Sequence, residues 1–230
     1  MDLSGKRIVV TGAFGVLGAA VSAAAKAAGA RVACVDFAPA SKAPAALRDA
    51  VLIGDADLGA PAAAKAAIET AAAKLGGLDG IVNIAGGFRW EKIADGDPAT
   101  WDFMFNVNVR TAVNATRAAL PLLTSGGARV VNIGAAGAIK AATGMGAYAA
   151  SKAGVAKFTE ALADELKDGG VTVNAILPSI IDTPVNRADM PDAEFDRWVK
   201  PQQVADLVVF PLSDRATAIT GALIPITGRV

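Results

Sequence analysis

The chain has 230 residues, 53% of them apolar and 19% charged, with 22 basic residues against 22 acidic ones. That length suits one domain with a sizeable core, the composition argues against disorder, and zero net charge speaks against a nucleic-acid groove or an anionic membrane surface as partner. With no histidine and with Cys34 as the one cysteine, the chain excludes a serine-histidine hydrolase, an intramolecular disulfide and a cysteine zinc cluster; no metal site is expected, and acid-base work falls to Tyr, Lys, Asp or Glu.

The opening MDLSGKRIVVTG puts basic residues before an apolar run too short for a signal peptide, and no later stretch reaches the roughly 20 apolar residues of a membrane span. A soluble, cytoplasmic protein is expected. Short β-branched runs then alternate with longer alanine-rich segments, the rhythm of parallel strands joined by crossover helices. The runs are RIVV, RVACVD, AVLIG, GIVNIAG, RVVNIG, VTVNAIL and ALIPITG. Helical spacing covers Leu17 to Ala28, Pro61 to Leu75, Pro98 to Leu123, Ala147 to Lys167 and Gln202 to Leu212. This pattern predicts an α/β fold: a single Rossmann-like doubly wound domain over residues 1–230, its seven-stranded parallel sheet flanked by helices on both faces. The long irregular stretch is 178–201, read as a substrate loop or lid with one short helical patch near Ala193 to Trp198.

After the first strand comes the turn TGAFGVLG, Thr11 to Gly18. Glycines 12, 15 and 18 let backbone approach a pyrophosphate and aim the next helix's N-terminus at it. Asp36 ends the second strand at the offset of roughly 20 residues expected of a ribose-binding acid. A carboxylate there accepts from both ribose hydroxyls and repels a 2′-phosphate, so NAD(H) is expected in preference to NADP(H). The cofactor-side set is thus Gly12, Phe14, Gly15, Val16, Leu17 and Gly18 in the turn, with Asp36 and Phe37 beyond the second strand.

Far downstream, GAYAASKAG places Tyr148 and Lys152 four residues apart. On a helix that spacing stacks the side chains on one face, where an ammonium lowers a phenol's pKa toward working pH. Together with the glycine turn, the pair points to nicotinamide oxidoreductase chemistry.

In order along the whole chain, TGAFGVLG, NIAGG, VNV and YAASK resemble the short-chain dehydrogenase/reductase family. The resemblance implies that Tyr148 is the acid or base of hydride transfer and that Lys152 holds the nicotinamide ribose and lowers the tyrosine's pKa. It implies that Asn108 anchors a water leading away from the lysine. Asp57 and Leu58 match the positions that contact adenine, with Asp55 as an alternative after a small shift. Ala85, Gly86 and Gly87 match the stretch beneath the cofactor, and Pro178, Ser179, Ile181 and Thr183 match the loop beside the nicotinamide amide.

The sequence departs from the family at three places. Val16 stands where the middle glycine of the turn is usual, with Gly15 one place earlier, and Ser179 stands where a glycine follows Pro178. The third departure bears on chemistry: the family's catalytic serine, thirteen places before the tyrosine, falls on Ala135, and Gly134 and Ala136 offer no hydroxyl either. Losing one such donor costs on the order of a hundred- to a thousandfold for a substrate that needs it. Thr143, the nearest hydroxyl upstream of Tyr148, reads either as a donor standing in for the missing serine or as a cap for the following helix. The C-terminal half, with GAAGAIKAATGMGAYAASK and LPSIIDTPVNRADMPDAEFDRW, is also similar to the quinonoid dihydropteridine reductase branch, which lacks that serine and reduces a conjugated imine. A binding protein that keeps the NAD(H) site without turnover is a third reading.

Phe88, Arg89 and Trp90 follow the cofactor-side glycines, and Met145, Arg187, Met190 and Trp198 lie in or near the lid. Trp90, Met145, Arg187 and Trp198, with Ala135, are the substrate-side candidates, and a flat substrate would suit them. For Phe195 and Trp198 the competing reading is that they pin the loop to the body. Small apolar residues along Asn108 to Leu123 and Ala149 to Ala163 suit close helix packing, so a homodimer or homotetramer acting on a small-molecule substrate is expected.

Overall fold

A computed structural model describes residues 1–123 and 127–230. The predicted sheet is present: β1 (Arg7–Thr11), β2 (Arg31–Val35), β3 (Val51–Ile53), β4 (Gly80–Asn83), β5 (Arg129–Ile133), β6 (Thr172–Pro178) and β7 (Leu223–Ile226). All pairs are parallel, in the order β3-β2-β1-β4-β5-β6-β7. Every residue of β4, β5 and β6 is buried. A strand covered on both faces needs side chains that tolerate burial on both, which is why these runs read as nearly continuous apolar stretches.

The helices are α1 (Val16–Ala27), α2 (Pro61–Leu75), α3 (Ala99–Phe105), α4 (Thr111–Ala119), α5 (Gly146–Leu166), α6 (Pro184–Asp189) and α7 (Pro201–Leu212). α1 and α7 cover one face, packing Val21 and Ala25 with Val204, Val208 and Leu212 against Val10, Val82 and Val131. α2, α4 and α5 cover the other, placing Ala64, Ile68, Ala115 and Leu162 over Val9, Ile81 and Val130. Alanines face the sheet along α2, so the alanine-rich segment keeps helical propensity while packing closely. The chain runs outward from β1 to β3, then crosses back to start β4 on the other side of β1. A crevice therefore opens where the β1 and β4 connections diverge, at the C-terminal edge of the sheet.

Two elements differ from expectation. Pro98 to Leu123 is not one regular helix: a π-helical turn over Asn106–Arg110 separates α3 from α4, and a tighter turn, Leu120–Leu122, follows. Thr111 Oγ1 donates back to Val107 O at 2.7 Å across that turn. The region 178–201 is less irregular than its prolines suggest. Thr183 caps α6, its Oγ1 accepting from Asn186 N at 3.2 Å, and Pro184 occupies the first helical position, where its missing N–H costs nothing. The patch expected near Ala193 to Trp198 is a single turn, Phe195–Arg197.

Beneath the crevice lies a run of buried polar side chains. Asn83 and Asn132 are register partners on β4 and β5. Asn83 Nδ2 donates to Asn132 Oδ1 and to Thr116 Oγ1, both at 2.8 Å, and Asn132 Nδ2 donates to Thr159 Oγ1 at 2.9 Å. These bonds lock α4 and α5 in register with the sheet, because a buried amide that loses its partner keeps the full desolvation cost.

Candidate active site

The glycine turn closes tightly despite Val16. Gly12 has φ +62, and a Cβ there would lie 2.7 Å from Ala85 N; one at Gly18 would run into Gly12 O. Both contacts hold α1 against the turn and the turn against the stretch after β4. Thr11 Oγ1 completes the joint by accepting from Ile84 N at 3.1 Å and Ala85 N at 3.3 Å. Sequence reasoning passed over Thr11, although its place before Gly12 at the end of β1 marks it. Gly15 is different: a Cβ there would meet only Gly12 O at 3.6 Å, so folding does not demand a glycine. Val16, half-exposed, begins α1, whose first turn carries no acidic residue and no side-chain cap. Phe14 and Leu17 turn their side chains against the core.

Asp36 is not a solvated loop acid. Its Oδ2 accepts from Phe14 N at 2.8 Å and its Oδ1 from Ala38 N at 2.9 Å, which fixes the carboxylate beside the glycine turn. Phe37 beside it is 74% exposed. Asp57 Oδ1 accepts from Gly59 N at 2.9 Å, Leu58 is buried, and Asn114 Nδ2 donates to Leu58 O and Gly59 O. Asp55 adopts φ +56, the left-handed region rarely used by residues other than glycine.

Tyr148 and Lys152 lie on the first turns of α5, as their spacing requires. Lys152 is buried and its Nζ donates to Ile133 O at 2.9 Å, at the end of β5. The Tyr148 ring meets Phe88 edge to face, centroids 4.8 Å apart at 82°. Asn108 stands in the π-helical turn, buried, and bonds in three directions. Its Oδ1 accepts from Gly87 N at 3.0 Å, and its Nδ2 donates to Gly87 O at 3.1 Å and to Ser151 Oγ at 3.0 Å. Ser151 Oγ donates in turn to Tyr148 O at 2.7 Å. The family resemblance points Asn108 toward the lysine; here its amide grips the backbone of Gly87 and the helix carrying Tyr148. Ser151 was missed, since a serine inside a helix carries no signal of its own. A Cβ on Gly86 would come within 2.5 Å of Asn108 Oδ1, which explains that glycine.

Ala135 is buried at the start of a short turn, Ala136–Ala138, that packs beside Tyr148: a Cβ on Gly137 would lie 3.1 Å from Met145 Cε and 3.8 Å from Tyr148 Cε1. Thr143 does not cap α5. The cap position is Met145, with no side-chain bond, because the chain reaches the helix through Gly144 at φ +76 rather than through an extended threonine.

The lid candidates separate. Pro178 ends β6, and Ser179 is drawn to the C-terminal segment, its N donating to Ile226 O at 3.0 Å and its Oγ to Thr227 O at 2.7 Å. Ile181 pairs with Val199 in a short parallel bridge. Thr183 is the cap of α6. Arg187 is committed within the lid, bidentate to Asp182 at 2.6 and 2.8 Å and stacked 4.6 Å over Phe195. Trp198 is 4% exposed and packs against Phe195, so it pins the loop and presents no face to a substrate. Met145 shares the Gly137 turn with Tyr148, and Trp90 lies against Gly144, just before α5.

Burial sets the protonation of the pair. It pushes Tyr148 up to about 12 and Lys152 down to about 8, because a charged form is disfavoured away from water. The expected lowering of the phenol by Lys152 is not seen here; desolvation alone sets the direction.

A glycine-lined turn, a cap-free helix N-terminus, a fixed carboxylate after β2 and a Tyr/Lys pair whose lysine is buried, all at the C-terminal edge of a parallel sheet, define a dinucleotide-dependent oxidoreductase. The sequence profile of the short chain dehydrogenase family matches residues 6–194. Nodulation protein G of Azospirillum brasilense is 34% identical over 98% of both chains. Among solved structures, a short chain dehydrogenase from Burkholderia cenocepacia J2315 in complex with NADP is 35% identical with a TM-score of 0.91, over 99% of this chain and 98% of that one. A 3-ketoacyl-(acyl-carrier-protein) reductase from Brucella melitensis complexed with NADH is 28% identical with a TM-score of 0.89, over 99% of each. The chain belongs to the short-chain dehydrogenase/reductase family, NAD(P)-dependent enzymes that act by hydride transfer.

The pair makes stability depend on pH. Tyr148 favours its neutral form on folding, a contribution complete below about 10 and lost as pH rises through about 12. Lys152 also favours its neutral form, so its contribution is complete above about 10.5 and lost as pH falls through about 8. Lys152→Met removes the cost of burying the ammonium. Its gain in unfolding free energy, measured by urea titration without cofactor, is therefore expected to be larger at pH 7 than at pH 10; equal gains would mean that Lys152 keeps its ammonium hydrated.

Proposed function

We propose that the chain transfers hydride between NAD(H) and a small carbonyl, alcohol or related imine, with Tyr148 as acid or base and Lys152 assisting. The observation that carries this is the pair itself: a phenol and a buried amine one helical turn apart, with the amine held at the C-terminal end of β5, the sheet edge on which the crevice opens. The nicotinamide supplies or accepts the hydride when bound. Gly12, Gly15 and Gly18 leave room for the pyrophosphate along the start of α1, with Phe14, Val16 and Leu17 supplying backbone there. Gly15 supports this, since a glycine that folding does not require suits a surface approached from outside. Asp36, with Phe37 next to it, takes the adenine ribose; Asp57 and Leu58 flank the adenine; Ala85, Gly86 and Gly87 run beneath the cofactor; Pro178, Ser179, Ile181 and Thr183 border the nicotinamide.

In reduction Tyr148 gives its proton to the substrate heteroatom as the neighbouring carbon becomes tetrahedral. A phenol held near 12 is fully protonated at neutral pH and ready to act as an acid. The Lys152 ammonium, one turn away, offsets the phenolate left behind. Asn108 keeps the Gly87 backbone and the Tyr148 turn in register, and a water bound to it would carry protons away from Lys152. NAD(H) is preferred over NADP(H) because the fixed Asp36 carboxylate would face a 2′-phosphate at close range.

The methyl of Ala135 favours a second reading, reduction of a quinonoid imine as in the dihydropteridine reductase branch, since a conjugated imine accepts hydride without a second donor on its heteroatom. Exposed Trp101, Phe103 and Phe105 on α3 suit packing against a second copy, so a homodimer or homotetramer is proposed. Sedimentation at the monomer mass would contradict that.

Tyr148→Phe is expected to reduce turnover by at least a thousandfold while sparing NADH binding, and Asp36→Ala to shift the NADH to NADPH ratio in kcat/KM at least tenfold toward NADPH. Undiminished turnover in the first variant, or an unchanged ratio in the second, would remove the corresponding role. Ala135→Ser separates the two substrate readings: a gain of tenfold or more on simple ketones shows that the missing hydroxyl limits carbonyl reduction, whereas no gain favours the imine.

A further inference from the structure

We propose that Asn106 is a specificity-determining residue that reads the base of the dinucleotide, pairing with the N6 amino group and N7 of adenine; this rests on the reading above that Asp57 and Leu58 flank that base. Asparagine is a poor choice for a helix interior unless its amide is used. Asn106 is half-buried, and among the described residues its amide bonds to no protein group. Folding therefore leaves both the donor and the acceptor side of the amide open. The π-helical turn sets its place. Thr111 N donates to Asn106 O, so residue 106 stacks over Thr111, where an ordinary α-helix would set it over Arg110. Thr111 Oγ1 donates to Ala85 O at 3.4 Å, and Asn114, further along the same face, donates from Nδ2 to Leu58 O at 3.0 Å and to Gly59 O at 3.1 Å.

That face lies against the segment after β3, and Asn106 meets it at Gly59. A Cβ on Gly59 would lie 2.9 Å from Asn106 Nδ2, 3.3 Å from Asn106 Oδ1 and 3.1 Å from Asp57 Oδ1, so the amide and the carboxylate stand side by side across that glycine. Asp57 Oδ1 accepts from Gly59 N at 2.9 Å, while Asp57 Oδ2 makes no bond among the described residues. An open carboxylate oxygen next to an open amide matches the edge of adenine. An asparagine pairs with that edge at two points, its oxygen accepting from N6 and its nitrogen donating to N7. The other N6 hydrogen is left for Asp57. In hypoxanthine an oxygen replaces the amino group and would face both the carboxylate and the amide oxygen. Turning the amide over gives no rescue, because its oxygen would then face N7.

The test measures dissociation constants for NADH and for reduced nicotinamide hypoxanthine dinucleotide by nicotinamide fluorescence, in the wild type, Asn106→Leu and Asn106→Ala. NADH is expected to bind more tightly than the analogue by about tenfold or more in the wild type, and that ratio to fall at least about threefold in both variants. Leucine keeps the volume and alanine removes it, so a merely structural loss weakens both ligands alike. An unchanged ratio in the variants therefore overturns the proposal, even where both constants rise. A wild type that binds the two dinucleotides equally overturns it too, while leaving the NADH site in place. Asp57→Ala keeps the two failures apart: a wild-type ratio in that variant means that the base lies away from Asp57, and the reading on which Asn106 rests fails with it. Binding of neither dinucleotide to the wild type removes the cofactor reading itself and this proposal along with it.

Discussion

One buried amide ties together the parts that must meet. Asn108 bonds both backbone groups of Gly87 and, through Ser151, the carbonyl of Tyr148. Three segments converge on it: the stretch after β4, the π-helical turn between α3 and α4, and the start of α5. The π-helical turn places Asn108 where it can do this, by widening one turn of the helix. Local irregularity of that kind has a cost in helix geometry, and it is offset because every bond of the amide is made in a buried setting where each is strong.

The sheet below provides the frame. Asn83 and Asn132 hold β4 and β5 in register with α4 and α5, and Thr11 holds the end of β1 against Ile84 and Ala85. The glycine turn, Asp36 and the Tyr/Lys pair are loops and helix starts on that frame, so their relative positions follow from strand register. Chemistry then depends on burial, which drives both Tyr148 and Lys152 toward their neutral forms.

Much of this was legible because the physics is local. Parallel strands buried on both faces must be written as short β-branched runs, and RVVNI or TVNAIL could hardly be anything else between alanine-rich helices. The Tyr148 and Lys152 spacing, Gly12 and Gly18 are likewise local. What escaped depends on partners distant in sequence. No pattern in VNVRTA announces a π-helical turn, because the turn is secured by bonds to Gly87 and Ser151. Trp198 could be read as a binding surface or as an anchor for the loop, and only the structure, with Ile181 and Val199 paired across the lid and the indole buried, decides for the anchor. Thr143 had the right residue type for a cap, but Gly144 in the left-handed region sends the chain into α5 without it. The phenol's pKa was misread for the same reason, since spacing shows the ammonium next to it but not how much water both have lost.

The central claim is direct hydride transfer assisted by Tyr148, and isotope transfer tests it most directly. The enzyme is incubated with NADH deuterated at C4 on each face in turn and with a conjugated ring ketone or imine, and the product is examined by mass spectrometry. The account predicts one deuterium on the former acceptor carbon from one of the two faces, with product lost in Tyr148→Phe. Product without deuterium from either face, or undiminished transfer in the tyrosine variant, would contradict it.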